Sequence, residues 1–145
     1  MDVFGITIPD KALTNLELID YANKLNISNC RGIFMRDTLP KIPHKIECGI
    51  VNFNTSQEPG SHWVCYSKNE DDRIYFDSYG QVTPFEIQNY LKKKNERGIG
   101  VIQRNTDIVQ HKANICGHLC LFVLKALTGE HLTFQQTLNK LNGYT

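Results

Sequence analysis

Chemistry is most strongly suggested around Cys116, in the stretch "QHKANICGHLC" (Gln110–Cys120). The residue falls near the first turn of a predicted helix. There the unpaired backbone N–H groups and the helix dipole favour negative charge. A free thiol, with a pKa of about 8.5, is only a few per cent thiolate at neutral pH. A helix N-terminus and a nearby imidazolium together lower that value by several units. Gly117 comes directly after it and carries no side chain beside the sulfur, which would let a substrate backbone approach. The plainer alternative is structural, because cysteine is among the most buried residue types. A nucleophile needs partners, and they decide between the two readings.

Cys120, one turn further on in "LCLFVL", reads as a core residue. Zinc would need four ligands in tetrahedral reach. His118 stands two residues from each cysteine and so points elsewhere on a helix. The chain holds no CxxC or HxxxH pair for Cys116, Cys120 and His111 or His118 to join. No metal or cofactor is expected. Of the five histidines (His44, His62, His111, His118, His131), His62 stands out. It comes after Pro59-Gly60-Ser61, precedes Trp63 and sits at the mouth of a predicted strand, a rigid yet open place for an imidazole. Asp77 ends a second predicted strand. A carboxylate there can accept a hydrogen bond from the imidazole and fix its tautomer, or can simply cap the turn "DSYG". If the two strands form a hairpin through "KNEDD", their outer ends meet and bring His62 to Asp77. Gln110, six residues before Cys116, can bring a side-chain amide to an oxyanion alongside the Cys116 N–H.

Helices and strands must position these groups. Thr14-Asn15-Leu16-Glu17 is a capping box, with Leu16, Ile19, Ala22 and Leu25 at helical spacing behind it. Thr83-Pro84-Phe85-Glu86 is another capping-box pattern, with Pro at the first helical position, and opens a helix reaching about Lys94. Asn114 can cap a helix from about Ile115 to Leu127, with Gly129 just past its end, and Thr133-x-x-Gln136 opens a last helix. Ile46–Phe53, His62–Ser67 and Arg73–Phe76 are rich in β-branched and aromatic residues and read as strands, with Val101–Gln103 a weaker fourth. The expected class is α+β, with helices packed on a central, mainly antiparallel sheet.

A chain of 145 residues suggests one domain, 1–145. Such a domain buries about 70% of its unfolded surface, enough for a core without staples. Hydrophobic residues at 41%, charged residues at 21% and a net charge of +1 are ordinary for a soluble protein. They point neither toward nor away from nucleic acid as a partner. Met1–Asp10 lacks the basic start and apolar stretch of a secretory signal. The longest apolar run, Leu119–Leu127, is interrupted by Lys125 and is too short to span a bilayer. Five irregularly spaced cysteines suggest reduced thiols in an intracellular protein that is not secreted.

The order His62, Asp77, Gln110, Cys116 resembles that of the adenovirus-type maturation cysteine proteases, which share a fold with the SUMO-deconjugating proteases. The matching pieces are "GSHWVCY", "YFDSYG" and "QHKANICGHLCLF", with "RGIFMRDTLP" and "ECGIVNFNTS" before them. Together they cover roughly Asn29 to Leu127. The short chain is most similar in character to the proteases of virophages and Maverick/Polinton elements.

The resemblance implies a papain-like, adenain-like fold with the nucleophile at a helix N-terminus. It implies that Cys116 attacks a peptide carbonyl, His62 pairs with it and protonates the leaving amine, Asp77 orients His62, and Gln110 helps to form the oxyanion hole. Trp63 in such enzymes walls a narrow groove that admits glycine before the scissile bond. The implied function is processing of viral or transposon precursor proteins, capsid proteins among them, in the host cytoplasm or viral factory and within the virion. A deconjugase of a ubiquitin-like modifier and an inactive binding module of the same fold are the alternatives. Two partners known in the family are DNA and an activating peptide. The basic run Leu91–Gly98 would be the place for DNA, although it also reads as a solvated helix end. A disulfide-tethered peptide has no counterpart, because the matching position is about Ile99 and no cysteine lies between Cys65 and Cys116.

Overall fold

The protein is described by a computed structural model over residues 1–92 and 101–142. The chain opens with a tight hairpin, β1 (Asp2–Val3) and β2 (Ile6–Thr7), turned through left-handed backbone at Phe4 and Gly5. Helix α1 (Asn15–Lys24) starts at the expected capping box: the Glu17 amide donates to Thr14 Oγ1, and the Thr14 amide donates to the Glu17 carboxylate. Its buried face matches the expected one at Ala22 and Leu25 but not at Leu16 and Ile19. Leu16 and Ile19 are exposed, and Leu18, Ala22 and the adjoining Leu25 face the core. Either set satisfies helical periodicity, and the tertiary contacts select one.

Next in the chain come strands β3 (Cys30–Met35), β4 (Glu47–Asn52), β5 (Trp63–Lys68) and β6 (Arg73–Phe76), then α2 (Phe85–Lys92) and β7 (Ile102–Arg104). The five strands form one sheet in the order β3-β4-β5-β6-β7. The β4-β5-β6 centre is antiparallel, as expected, but β3 and β7 pair in parallel at the two edges. The sheet is therefore mixed. A parallel edge strand needs a crossover from elsewhere in the chain, and strand composition does not reveal this.

Side chains alternate between two covered faces. Ile50, Cys65, Ile74 and Phe76 join one core with α1, α3 (Cys116–Thr128) and α4 (Phe134–Leu141). Val51, Val64, Tyr66 and Tyr75 join a second core with Ile87, Tyr90 and Leu91 of α2. Cover on both faces explains why β4 is buried along its whole length rather than alternating. Helix α3 is buried almost all round and is the central helix of the first core. It ends at Gly129, as expected. Asn114 does not cap it. Asn114 adopts left-handed backbone (φ 67°), and the N-cap is Ile115, with no side-chain cap bond. Most of the basic run Leu91–Gly98, and Ile99, lie outside the described residues.

The turn after β6 is the tightest point near the site. Gly80 has φ +65°, and a Cβ there would lie 2.5 Å from the Thr106 carbonyl oxygen. A side chain would meet both the left-handed penalty and a rigid backbone atom. Gly80→Ala is therefore expected to lower unfolding stability by at least about 1–2 kcal/mol in urea titration. An unchanged midpoint would mean that this turn does not constrain the fold.

Candidate active site

The hairpin that brings two outer strand ends together is present. Antiparallel register pairs Cys65 with Phe76 and Lys68 with Arg73, and Asn69 ties its turn by accepting from the Asp71 and Asp72 amides. His62 immediately precedes β5 and Asp77 comes immediately after β6, so they meet: His62 Nε2 lies 2.7 Å from Asp77 Oδ1. The carboxylate is fully buried. It also accepts from the Tyr79 amide at 2.9 Å and the Gln81 amide at 3.3 Å. Asp77 thus caps its turn and holds the imidazole at the same time, so the two sequence readings are not exclusive.

The His62 ring is fixed from several sides. The His62 main-chain carbonyl accepts from the Phe53 amide at 2.7 Å, extending the β4–β5 ladder. The Tyr79 ring lies 4.9 Å from the imidazole and Phe53 lies 6.0 Å away. Cys116 is the first residue of α3, and its thiol and the imidazole shift each other's pKa. The Trp63 amide donates to Cys116 Sγ at 3.5 Å.

These contacts set the charge states. Burial disfavours the imidazolium, but the hydrogen bonds to Asp77 and Cys116 outweigh it and raise the His62 pKa to about 9. Burial likewise opposes the thiolate of Cys116. The His62 bond, the Trp63 amide, the imidazolium charge and the Gly117 amide reverse that and bring its pKa below the ordinary thiol value. Both shifts favour the ion pair over the neutral pair.

Gln110 is buried at the edge of the same cleft. Its Nε2 donates to the Lys112 carbonyl at 2.8 Å, and its Oε1 accepts from Ser78 Oγ at 2.6 Å. Trp63 lines the cleft, with its indole N–H donating to the Leu13 carbonyl at 2.9 Å. The cleft has a volume of about 690 Å³. Its lining includes Ile33, Phe34 and Met35 of edge strand β3, Leu13 and Trp63, and His62, Cys116 and Gln110.

Gly117 sits where α3 meets α1 and the indole. A Cβ there would sit 3.1 Å from Leu18, 3.4 Å from Leu13 and 3.5 Å from Trp63. The missing side chain lets α3 pack closely against α1 and the indole.

His118 is fully buried, with Nε2 2.7 Å from the Pro9 carbonyl, and burial keeps its pKa low. It serves as a neutral core tether. Cys120 is core, against Cys65, and burial raises its pKa. All five cysteines are free thiols. Among the described residues, no group of three or more His, Cys, Asp or Glu side chains could hold a metal ion. Nor, among them, is any helix long and apolar enough to cross a membrane.

Sequence reasoning missed three residues. Asn105 brackets the Asp77 backbone: its Oδ1 accepts from the Asp77 amide at 3.1 Å and its Nδ2 donates to the Asp77 carbonyl at 2.5 Å. It extends the β6–β7 pairing by a side chain where the strands stop. Tyr79 and Ser78 also act on the site, and their one signal is position, directly after Asp77.

A helix N-terminal cysteine against a strand-end histidine, on a sheet covered by helices, defines a papain-like, SUMO-protease-like fold. Two crystal structures of the ASFV pS273R protease, one of them the selenomethionine form, are similar to this chain. Their TM-scores are 0.62 and 0.61 at 15% and 17% sequence identity. Each likeness covers 90% of this chain and 62% of that protease, so the chain spans under two thirds of its length. No protein-family model and no curated protein sequence matches the chain.

Iodoacetamide should alkylate Cys116 at neutral pH, and His62→Ala should move the midpoint of its pH–rate profile upward toward the ordinary thiol range. Cys30 provides an internal standard: its neighbour Cys48 lowers its pKa, with no contribution from His62. Peptide mapping should show the Cys30 profile unmoved by His62→Ala. A Cys116 profile that also stays put would remove the ion pair.

Proposed function

We propose that this protein is a cysteine endopeptidase that cleaves viral or transposon precursor proteins, capsid proteins among them, after glycine-containing motifs. The observation that carries this reading is the chain of contacts from Asp77 through His62 to Cys116, with Gln110 on the same cleft.

The Cys116 thiolate attacks the carbonyl carbon of the scissile bond, and the carbonyl π electrons move onto oxygen. The Gln110 side-chain N–H and the Cys116 backbone N–H donate to that oxyanion. As the C–N bond breaks, the His62 imidazolium gives its proton to the leaving amine, and a thioester remains on Cys116. His62, now neutral, takes a proton from water, whose oxygen attacks the thioester. The acid leaves and the thiolate is restored. Asp77 holds one imidazole tautomer throughout and stabilises its charged form.

Trp63 sets the glycine preference. An indole anchored to the Leu13 carbonyl is a fixed wall, and a fixed wall beside the sulfur excludes bulky side chains. Trp63→Ala should broaden the residues accepted before the scissile bond.

The test is incubation with the capsid precursors of the same genome, with mass spectrometry of the new termini. Wild-type protein should give cuts directly after glycine, and Cys116→Ala should give none. Gln110→Ala should lower kcat by about 10²–10³-fold, the scale of losing one oxyanion donor. Cleavage by Cys116→Ala at the wild-type rate would overturn the assignment. Release of a ubiquitin-like modifier with no precursor cleavage would favour a deconjugase instead.

A further inference from the structure

We propose that Ser78 is a positioning residue that holds the Gln110 carboxamide with a free N–H toward the cleft. The inference rests on the peptidase reading above and deepens it.

An oxyanion donor works only if the amide presents nitrogen, not oxygen, to the developing charge. The two ends of a carboxamide have nearly the same shape, so the surroundings must choose. Here they do. The Lys112 carbonyl can only accept, so the atom facing it, 2.8 Å away, is Nε2. Oε1 then faces the Ser78 hydroxyl, which donates to it at 2.6 Å. Both side chains are buried, Ser78 at 0% exposure and Gln110 at 5%. One Nε2 hydrogen is spent on Lys112, and the other is left for the cleft that Gln110 lines. Ser78 also holds Gln110 through the main chain, because its carbonyl accepts from the Val109 amide at 2.8 Å and the Gln110 amide at 3.1 Å.

Ser78 is the residue directly after Asp77. One short turn therefore orients both the histidine and the oxyanion donor. Removing the hydroxyl would leave Oε1 buried without its donor. The side chain would relieve that by turning away from the productive pose.

The experiment is a double-mutant cycle of Ser78→Ala and Gln110→Ala, read by peptide cleavage and by iodoacetamide alkylation of Cys116. Alkylation needs the thiolate but forms no oxyanion, so it reports the Asp77–His62–Cys116 arm alone. Ser78→Ala should lower kcat about tenfold with little change in KM, and should cost nothing further in the Gln110→Ala background. Its Cys116 alkylation rate should match wild type. Additive losses, or a fall in alkylation, would overturn the proposal by showing that Ser78 acts through Asp77 or the fold. Should Ser78→Ala fail to fold, Ser78→Cys, a weaker donor, reads the same cycle. Failure of the wild type to cleave, or cleavage by Cys116→Ala, would instead sink the peptidase reading and this inference with it.

Discussion

The buried carboxylate of Asp77 is the constraint on which the site depends. A buried, unpaired carboxylate is costly, and Asp77 is fully enclosed. It is tolerated because three donors converge on it: the His62 imidazole and the amides of Tyr79 and Gln81. The same three bonds close the turn after β6 and hold the histidine. Asn105 then fixes the main chain of Asp77 from the neighbouring strand end. Local folding and the chemistry of the cleft thus share one set of hydrogen bonds.

From that point the arrangement spreads in two directions. Through His62 it reaches Cys116, where the helix end and the imidazole act on the thiol together. Through Ser78 it reaches Gln110. The central helix α3 brings the cysteine to this point because it is packed on nearly every side, and glycine at position 117 lets it approach Leu18 and Trp63 closely. The opposite core, built around α2, supports the sheet from behind and, among the described residues, contributes no side chain to the cleft lining.

Much of this is legible in the sequence, for identifiable reasons. Capping boxes at Thr14 and Thr133 are local, and both form. The meeting of His62 with Asp77 comes from hairpin logic, which needs only two strands and a turn. The Cys116 position comes from helix patterning. What is hidden is non-local. Strand β3, with Arg31 and Gly32 in its first half, does not read as a strand, and the parallel edges depend on crossovers that no short window records. The exposed and buried faces of α1 are hard to tell apart because both satisfy the same period. Asn114 has a capping residue's chemistry, yet its left-handed backbone puts Ile115 in the cap. Asn105 and Ser78 matter through partners 28 and 32 residues away, and no spacing rule points to them.

The central claim is that Asp77 and Cys116 together keep His62 protonated through neutral pH. The most direct measurement is NMR of the His62 ring nitrogens against pH, in wild type and in Asp77→Asn. The account predicts an imidazolium in wild type that titrates near pH 9, and a clear downward move of that midpoint in Asp77→Asn. A midpoint at or below the ordinary histidine value of 6.5 in both proteins would contradict it.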